Sequence, residues 1–313
     1  MADVTTQAPT ASHRAEYYSL RSVVGLFHAL PWSVACGLGE RLGALGYAPL
    51  GIRRRVVERQ IAAAFPEKPE AEVRDLARRA YEHLGRSSIE TALLPSIGKQ
   101  GVLDMVEDSE GFELVEQAVA EGKGVVLVTG HLGNWELAGA YVAARGVPMD
   151  VIVRTQANPL FDAYINQTRG SLGMTVVRDF EAARRTPRSL REGRAVAFVS
   201  DQGVMGLAST FVTFFGRPAK TPRGAAVFAL KYDTPTLFVT ALRQPSGRYR
   251  VIVEKVPVVR TGDRDHDVDA IVAAYTDILE RWVRAAPEQY FWHHRRWRRQ
   301  PDDTPPELRD PSL

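Results

Sequence analysis

Short runs of β-branched and aliphatic residues recur through the last two thirds of the chain. Between them lie longer stretches in which apolar residues return every three or four positions. The runs at 125–129, 151–154, 175–178, 195–200, 236–242 and 249–254 predict buried strands. The helical period predicts helices over 71–93, 111–120, 136–145, 159–171, 181–192, 222–231 and 268–285. Strand alternating with helix argues for an α/β fold, a mainly parallel central sheet flanked by helices. The first 100 residues carry no strand pattern and predict a helical N-terminal portion. Four segments are expected: a disordered tail over 1–14, a helical membrane-proximal portion over 15–100, an α/β domain over 101–300, and a Pro-rich disordered tail over 301–313.

The most apolar N-terminal stretch is 22–51, but His28, Pro31, Glu40 and Arg41 interrupt it. No clean span of about 20 apolar residues remains. Helices on either side of Pro31, with Phe27, Leu30, Trp32 and Leu38 toward one side, are expected to lie on a membrane surface as a peripheral or monotopic element. The alternative is an ordinary helical hairpin packed on the core.

Composition narrows the picture. With 313 residues, 45% of them hydrophobic, the chain can bury a sizeable core. Cys36 stands alone, which excludes an intramolecular disulfide and a thiolate-rich metal site and fits a reducing compartment. The first residues lack an apolar signal-peptide core, so the catalytic part is expected on the cytoplasmic side of a membrane. Net charge is only +3, yet Arg53-Arg54-Arg55 form one basic cluster, and six arginines stand against Glu288 over 281–299. Such clusters suit anionic partners such as lipid head groups, phosphates or an acidic protein.

Within this pattern one stretch carries chemistry: GVVLVTGHLGNWELAGA, 124–140. A buried strand runs into Thr129-Gly130, His131 follows, and a helix begins near Asn134. In parallel sheets, sites form at the carboxyl ends of strands. Arg154 and the Asp201-Gln202 pair stand at two further strand ends. A spacing of five does not bring His131 and Glu136 together on a regular helix. A loop histidine can still fold back on a first-turn glutamate, with Gly130 and Gly133 permitting the turn. The carboxylate then fixes one imidazole nitrogen and leaves the other to take a proton from a hydroxyl. By itself, His-x4-Glu more often marks a surface histidine near a helix start. Zinc needs about three protein ligands, and the remaining histidines form no spaced pair nearby. No Gly-x-Ser-x-Gly elbow supplies a serine nucleophile. A base acting directly on a substrate hydroxyl is what remains.

TGHLGNWELAG resembles the motif of the bacterial lipid A biosynthesis acyltransferases, the lauroyl/myristoyl type, within the glycerolphosphate acyltransferase-like superfamily. Further blocks in the same order are similar: RRRVVERQIAAAFPEKPEAEV (53–73), VRTQANPLFDAYINQTRGSLGMTVV (153–177), VSDQGVMGLASTFVTFFGRPAKTPRGAAVFA (199–229) and PEQYFWHHRRWR (287–298). Gln60 stands where the family more usually has Asn. The resemblance implies a glycerolphosphate acyltransferase-like fold. It also implies transfer of a fatty acyl group from an acyl carrier protein thioester to a hydroxyl of a lipid A precursor, at the cytoplasmic face of the inner membrane. His131 would be the general base and Glu136 its orienting partner. Arg154, Arg169, Asp201, Gln202, Arg295 and Arg296 would serve substrate binding. For Asp201, a salt bridge orienting Arg154 or Arg169 is expected rather than direct catalysis. For Arg295 and Arg296, tethering to anionic lipid stands beside phosphate contact. Trp135 is expected to pack on its helix, with contact to the acyl chain as the alternative. A thioester is already activated, so no covalent enzyme intermediate is required; no cofactor, no metal and no nucleic-acid partner are expected. Alternatives are another glycolipid or a lysophospholipid as acceptor, as in mannoside acyltransferases, or a non-catalytic module binding lipid or carrier protein.

Overall fold

The computed structural model describes residues 8–203 and 206–312. The N-terminal portion is helical: α1 (Ala11–His28), α2 (Trp32–Tyr47), α3 (Arg54–Ala64) and α4 (Glu70–Asp104). Beyond it run β1 (Val106–Glu110), α5 (Glu113–Ala120), β2 (Val125–Thr129), α6 (Trp135–Ala144), β3 (Met149–Val153), α7 (Pro159–Ser171), β4 (Met174–Arg178), α8 (Ala182–Arg191) and β5 (Ala195–Val199). A hairpin of β6 (Ser209–Phe214) and β7 (Arg217–Pro222) follows, then α9 (Gly224–Tyr232), β8 (Thr236–Arg243), β9 (Tyr249–Lys255) and α10 (Arg264–Ala285).

Seven strands form one sheet in the order β1-β9-β8-β2-β5-β3-β4. Only the β8–β9 pair is antiparallel. Helices cover both faces, so the central strands lack polar alternation: in β2, Val125–Val128 are all buried. One core fills the face toward α9 and α10 and includes the wholly buried Trp292 and Trp297. The other fills the face toward α5 and α6. The expected α/β class with a helical N-terminal portion is what the structure has.

Helices α2 and α4 press together closely, since a Cβ on Gly43 would stand 2.0 Å from the Tyr81 carbonyl oxygen. α1 and α2 meanwhile turn a row of apolar side chains outward, among them Leu26, Leu30, Val34, Leu38, Leu42 and Leu45, continued by Leu50 and Ile52. Leu26 and Leu50 are 70% and 67% exposed. Among the described residues no helix is long and apolar enough to cross a membrane. α1 docks beside α7: Arg21 lies over the Tyr164 ring at 4.6 Å, and Asn158 donates to the His13 carbonyl at 3.0 Å.

The structure departs from the sequence-based expectation in four places. Helix α4 does not stop near Leu93 but continues through Pro95 to Asp104, broken at Gly98. Strands β1, β6 and β7 were not expected. The tail expected over 1–14 falls partly outside the described residues, and its last four residues, 11–14, open α1. Residues 301–312, expected to be disordered, fold back on the body. Arg295 pairs with the buried Asp310 at 2.6 Å, and Arg217 donates to the carbonyls of Glu307 and Arg309.

Candidate active site

Strands β2, β5 and β3 are neighbours in that sequence, so the three polar strand ends meet. Thr129 of β2 is in register with Val199 of β5. Two residues further along each chain, His131 faces Asp201. The Asp201 carboxylate lies 2.6 Å from His131 Nδ1 through Oδ1, and its Oδ2 accepts the His131 backbone N–H at 2.9 Å. A carboxylate can only accept, so Nδ1 carries the hydrogen and Nε2 keeps its lone pair. Asp201 is 2% exposed. Burial disfavours its charge, but the His131 charge, the two His131 N–H bonds and the nearby Arg296 outweigh that and hold the carboxyl well below the usual range. Tyr290 also hydrogen-bonds to Asp201, and burial with that negative neighbour pushes its phenol well above 10.

Glu136 does not reach His131. Asn134 caps α6, its Oδ1 accepting from the Leu137 N–H at 3.0 Å. The first turn of α6 carries Glu136 toward α7, where Arg169 Nε donates to Oε2 at 3.0 Å and NH2 to Oε1. The expected fold-back of Glu136 on the imidazole is therefore replaced by an ion pair with Arg169. The expected Asp201 salt bridge to Arg154 or Arg169 is replaced by the imidazole contact. Trp135 does not simply pack on α6; its ring meets the His131 ring edge at 4.7 Å.

His131, Glu136, Arg154, Arg169 and Gln202 all line one cavity of about 610 Å³. The Gln202 amide stands 3.2 Å from His131 Nδ1, and Arg154 is exposed at the rim. The rest of the lining is mainly apolar, with Gly139, Val142, Met149 and Met174 on the α6 side and Phe198 and Phe228 on the α9 side. A slot with a wet, charged end and an apolar interior suits an amphiphile.

Arg295 and Arg296 do not join this cavity. Arg295 is held by Asp310, and Arg296 is buried beneath the site, donating to the Lys220 carbonyl at 2.7 Å and to Thr221 Oγ1 at 2.6 Å. Arg296 serves as a fixed positive charge near Asp201 rather than as an anchor for lipid or phosphate. The departure at Gln60 has a structural reason too. Its buried amide donates to the carbonyls of Trp292 and His294 at 2.6 and 2.7 Å and accepts from the Arg296 N–H at 2.8 Å, clamping the C-terminal segment. That segment in turn holds the His131 loop. Phe291 N–H donates to the His131 carbonyl and Gln289 accepts from the Gly133 N–H, both at 2.9 Å. Tyr290 and Gln289 escaped the sequence reading, although the quoted C-terminal block contains both.

The sequence profile described as bacterial lipid A biosynthesis acyltransferase matches residues 8–299. A lipid A biosynthesis palmitoleoyltransferase of Escherichia coli K12 is 28% identical over 89% of this chain and 90% of its own length. A lipid A biosynthesis lauroyltransferase of the same organism is 28% identical over 90% and 91%. A phosphatidylinositol mannoside acyltransferase of Mycobacterium tuberculosis H37Rv is 29% identical over 56% and 57%.

Proposed function

This chain belongs to the bacterial lipid A biosynthesis acyltransferase family, an enzyme transferring groups other than aminoacyl groups, and on that premise we propose that it moves a fatty acyl group from an acyl carrier protein thioester to a hydroxyl of a lipid A precursor, with His131 as general base and Asp201 as the carboxylate that orients it. The observation that carries the assignment is the Asp201–His131 contact at the mouth of a largely apolar cavity.

In the proposed reaction His131 Nε2 takes the proton of the acceptor hydroxyl as its oxygen attacks the thioester carbonyl carbon. The carbonyl becomes a tetrahedral oxyanion, which the N-terminus of α6 and the cationic Arg169 favour. Collapse of the intermediate re-forms the carbonyl, breaks the carbon–sulfur bond and releases a thiolate, which takes the proton back from the His131 imidazolium. Asp201 keeps Nε2 as the free nitrogen and stabilises the imidazolium between these two transfers. Glu136 acts one step removed, holding the Arg169 guanidinium at the cavity wall. The acyl chain occupies the apolar interior beside Gly139, Met149 and Met174. Exposed Arg154 suits the anionic groups of either substrate, and the Arg53–Arg55 cluster suits an acidic carrier protein.

The outward apolar row on α1 and α2 supports peripheral attachment to an anionic membrane surface at the cytoplasmic face of the inner membrane. The N-terminal half of α1 meets Asn158, at the end of the loop that bears Arg154. Similarity to a phosphatidylinositol mannoside acyltransferase keeps a second glycolipid acceptor as the rival reading.

His131→Ala is expected to abolish acyl transfer while leaving the far-ultraviolet circular dichroism unchanged. Near-wild-type turnover by a folded variant would sink the assignment. Lipid mass spectrometry of a strain lacking the protein separates the acceptors, because the missing acyl chain is lost from lipid A in one case and from another glycolipid in the other.

A further inference from the structure

Every buried main-chain polar group of the loop 131–134 has a partner, and the partners divide by origin. The His131 N–H goes to Asp201 and its carbonyl to Phe291 N–H; the Leu132 N–H goes to the Gly130 carbonyl and its carbonyl to Thr240 Oγ1. The Gly133 N–H goes to Gln289, and the Asn134 N–H to the Ala241 carbonyl. The Gly133 carbonyl is met by His83 Nε2 of α4 at 3.2 Å. Among the described residues, His83 is what the helical N-terminal portion supplies to this main chain. Gly133 has no freedom to find a substitute. Its φ is +63°, and a Cβ there would stand 1.9 Å from the Ala241 carbonyl oxygen.

The carbonyl can only accept, so His83 carries its hydrogen on Nε2. Burial, with help from the Arg243 charge, lowers this imidazole to about 4, so it stays neutral near neutral pH. Ser87, one turn along α4, stands 3.1 Å from Nε2. The Ser87 hydroxyl accepts from Arg243 at 3.4 Å, and Arg243 pairs with the buried Glu90. Nε2 thus stands between the Gly133 carbonyl and the Ser87 hydroxyl, and a buried ion pair fixes Ser87 in turn.

We propose that His83 is a positioning residue, whose Nε2–H holds the Gly133 carbonyl and so seats the loop that aims His131 at the substrate. This rests on the reading of His131 as the base. It assigns to α4 the task of coupling the membrane-facing helices to the catalytic centre.

The test compares His83→Leu, His83→Gln and His83→Asn in the full chain. Glutamine places an amide N–H at about the reach of Nε2, and asparagine falls short. Three quantities are read: kcat and KM for acyl transfer from a purified thioester donor, the unfolding midpoint, and the low-field proton resonance of His131 Nδ1–H, which needs no substrate. Leucine is expected to lower kcat roughly tenfold or more, the scale of an orphaned buried carbonyl, with KM within about threefold. It is also expected to broaden the His131 proton. Glutamine restores both and asparagine does not. Wild-type kcat in His83→Leu, or glutamine no better than leucine, overturns the proposal. Should the leucine variant not fold, glutamine ahead of asparagine supports the proposal and equality of the two overturns it. A wild-type protein without acyl turnover, whose His131 proton still responds to His83, fails the functional reading and leaves this one standing.

Discussion

Replacing Asp201 by Asn asks which carboxylate serves His131. The change keeps the shape of a side chain that is 2% exposed, so packing is preserved. It removes a negative charge whose oxygen lies 2.6 Å from Nδ1. Taking charge centres about 4 Å apart and an effective dielectric near 20, the attraction lost when the imidazolium forms is about 4 kcal/mol. That corresponds to roughly a thousandfold in kcat. A second effect runs the same way. An amide N–H turned to Nδ1 moves the imidazole hydrogen to Nε2 and removes the lone pair that accepts the substrate proton. KM should change little, because Asp201 lies behind the cavity wall. Initial rates of thiol release from an acyl carrier protein thioester, with acceptor lipid in detergent micelles, measure this directly. Glu136→Gln provides the contrast. It loosens Arg169, which favours the oxyanion, and should lower kcat by about tenfold, the scale of one charged hydrogen-bonded pair. An Asp201→Asn enzyme within tenfold of wild-type kcat, with Glu136→Gln the more damaged of the two, would refute the geometry argued above and return the imidazole to Glu136.

The apolar interior of the cavity makes a prediction about chain length. A Cβ on Gly139 would meet the flexible end of Met174 at 3.0 Å, so Gly139→Ala should be tolerated, whereas Gly139→Leu should raise the kcat/KM ratio of short over long donors about tenfold; an unchanged ratio places the acyl chain elsewhere. Acid should unfold the protein early. His83, His293 and His294 are each lowered by burial from 6.5 to about 4. The unfolded chain gains protons below about pH 6.5 while the folded one does not until about 4, so stability is full above 6.5 and falls across that window, by up to about 1.4 kcal/mol per pH unit per histidine. His293, whose ring nitrogens find no hydrogen-bond partner among the described residues and whose ring lies between Phe291 and Tyr81, offers the control: His293→Phe should flatten the slope of urea-unfolding free energy against pH by about a third. A level profile from pH 7 to 4.5 would contradict this. Finally, Leu26→Asp, Leu42→Asp and Leu50→Asp together should cut sedimentation with anionic lipid vesicles by at least about tenfold; undiminished binding would assign the apolar row to some other partner.

How much of this was open to reading in the chain varies with the range of the interaction. The core strands were legible because burial on both faces leaves unbroken apolar runs, as in 125–129. The β6–β7 hairpin was not, because its two-residue turn is Phe215-Gly216, both at positive φ, and a phenylalanine there gives no turn signal. Its strained position is held by the Phe215 N–H bond to Glu280 at 2.5 Å, a contact 65 residues away. The helix expected over 71–93 runs on through Pro95, a residue that disfavours helix interiors, to a break at Gly98. At the site, His131 was found from its place at a strand mouth. Its partner was misassigned, because sequence spacing sees Glu136 five residues away and not Asp201 seventy away. The signal was nonetheless present: had β2 and β5 been known as parallel neighbours in register, positions 131 and 201 would have fallen opposite each other. Arg295 and Arg296 looked like a free basic patch because nothing local reveals that Asp310 and the Thr221 hydroxyl take them up.

The clamp of the C-terminal segment on the His131 loop has a consequence for the timing of activity. His131, Glu136, Arg169 and Asp201 all emerge from the ribosome well before Gln289, Tyr290 and Phe291, which supply the bonds that fix the loop. A growing chain therefore carries these four residues for some ninety residues with that side of the loop unfastened. That side of the loop is fastened only once residues 289–296 have been made, when Gln60 can catch Trp292, His294 and Arg296. A nascent or truncated chain that stops short of residue 289 therefore holds the His131 loop without the Gln289 and Phe291 bonds.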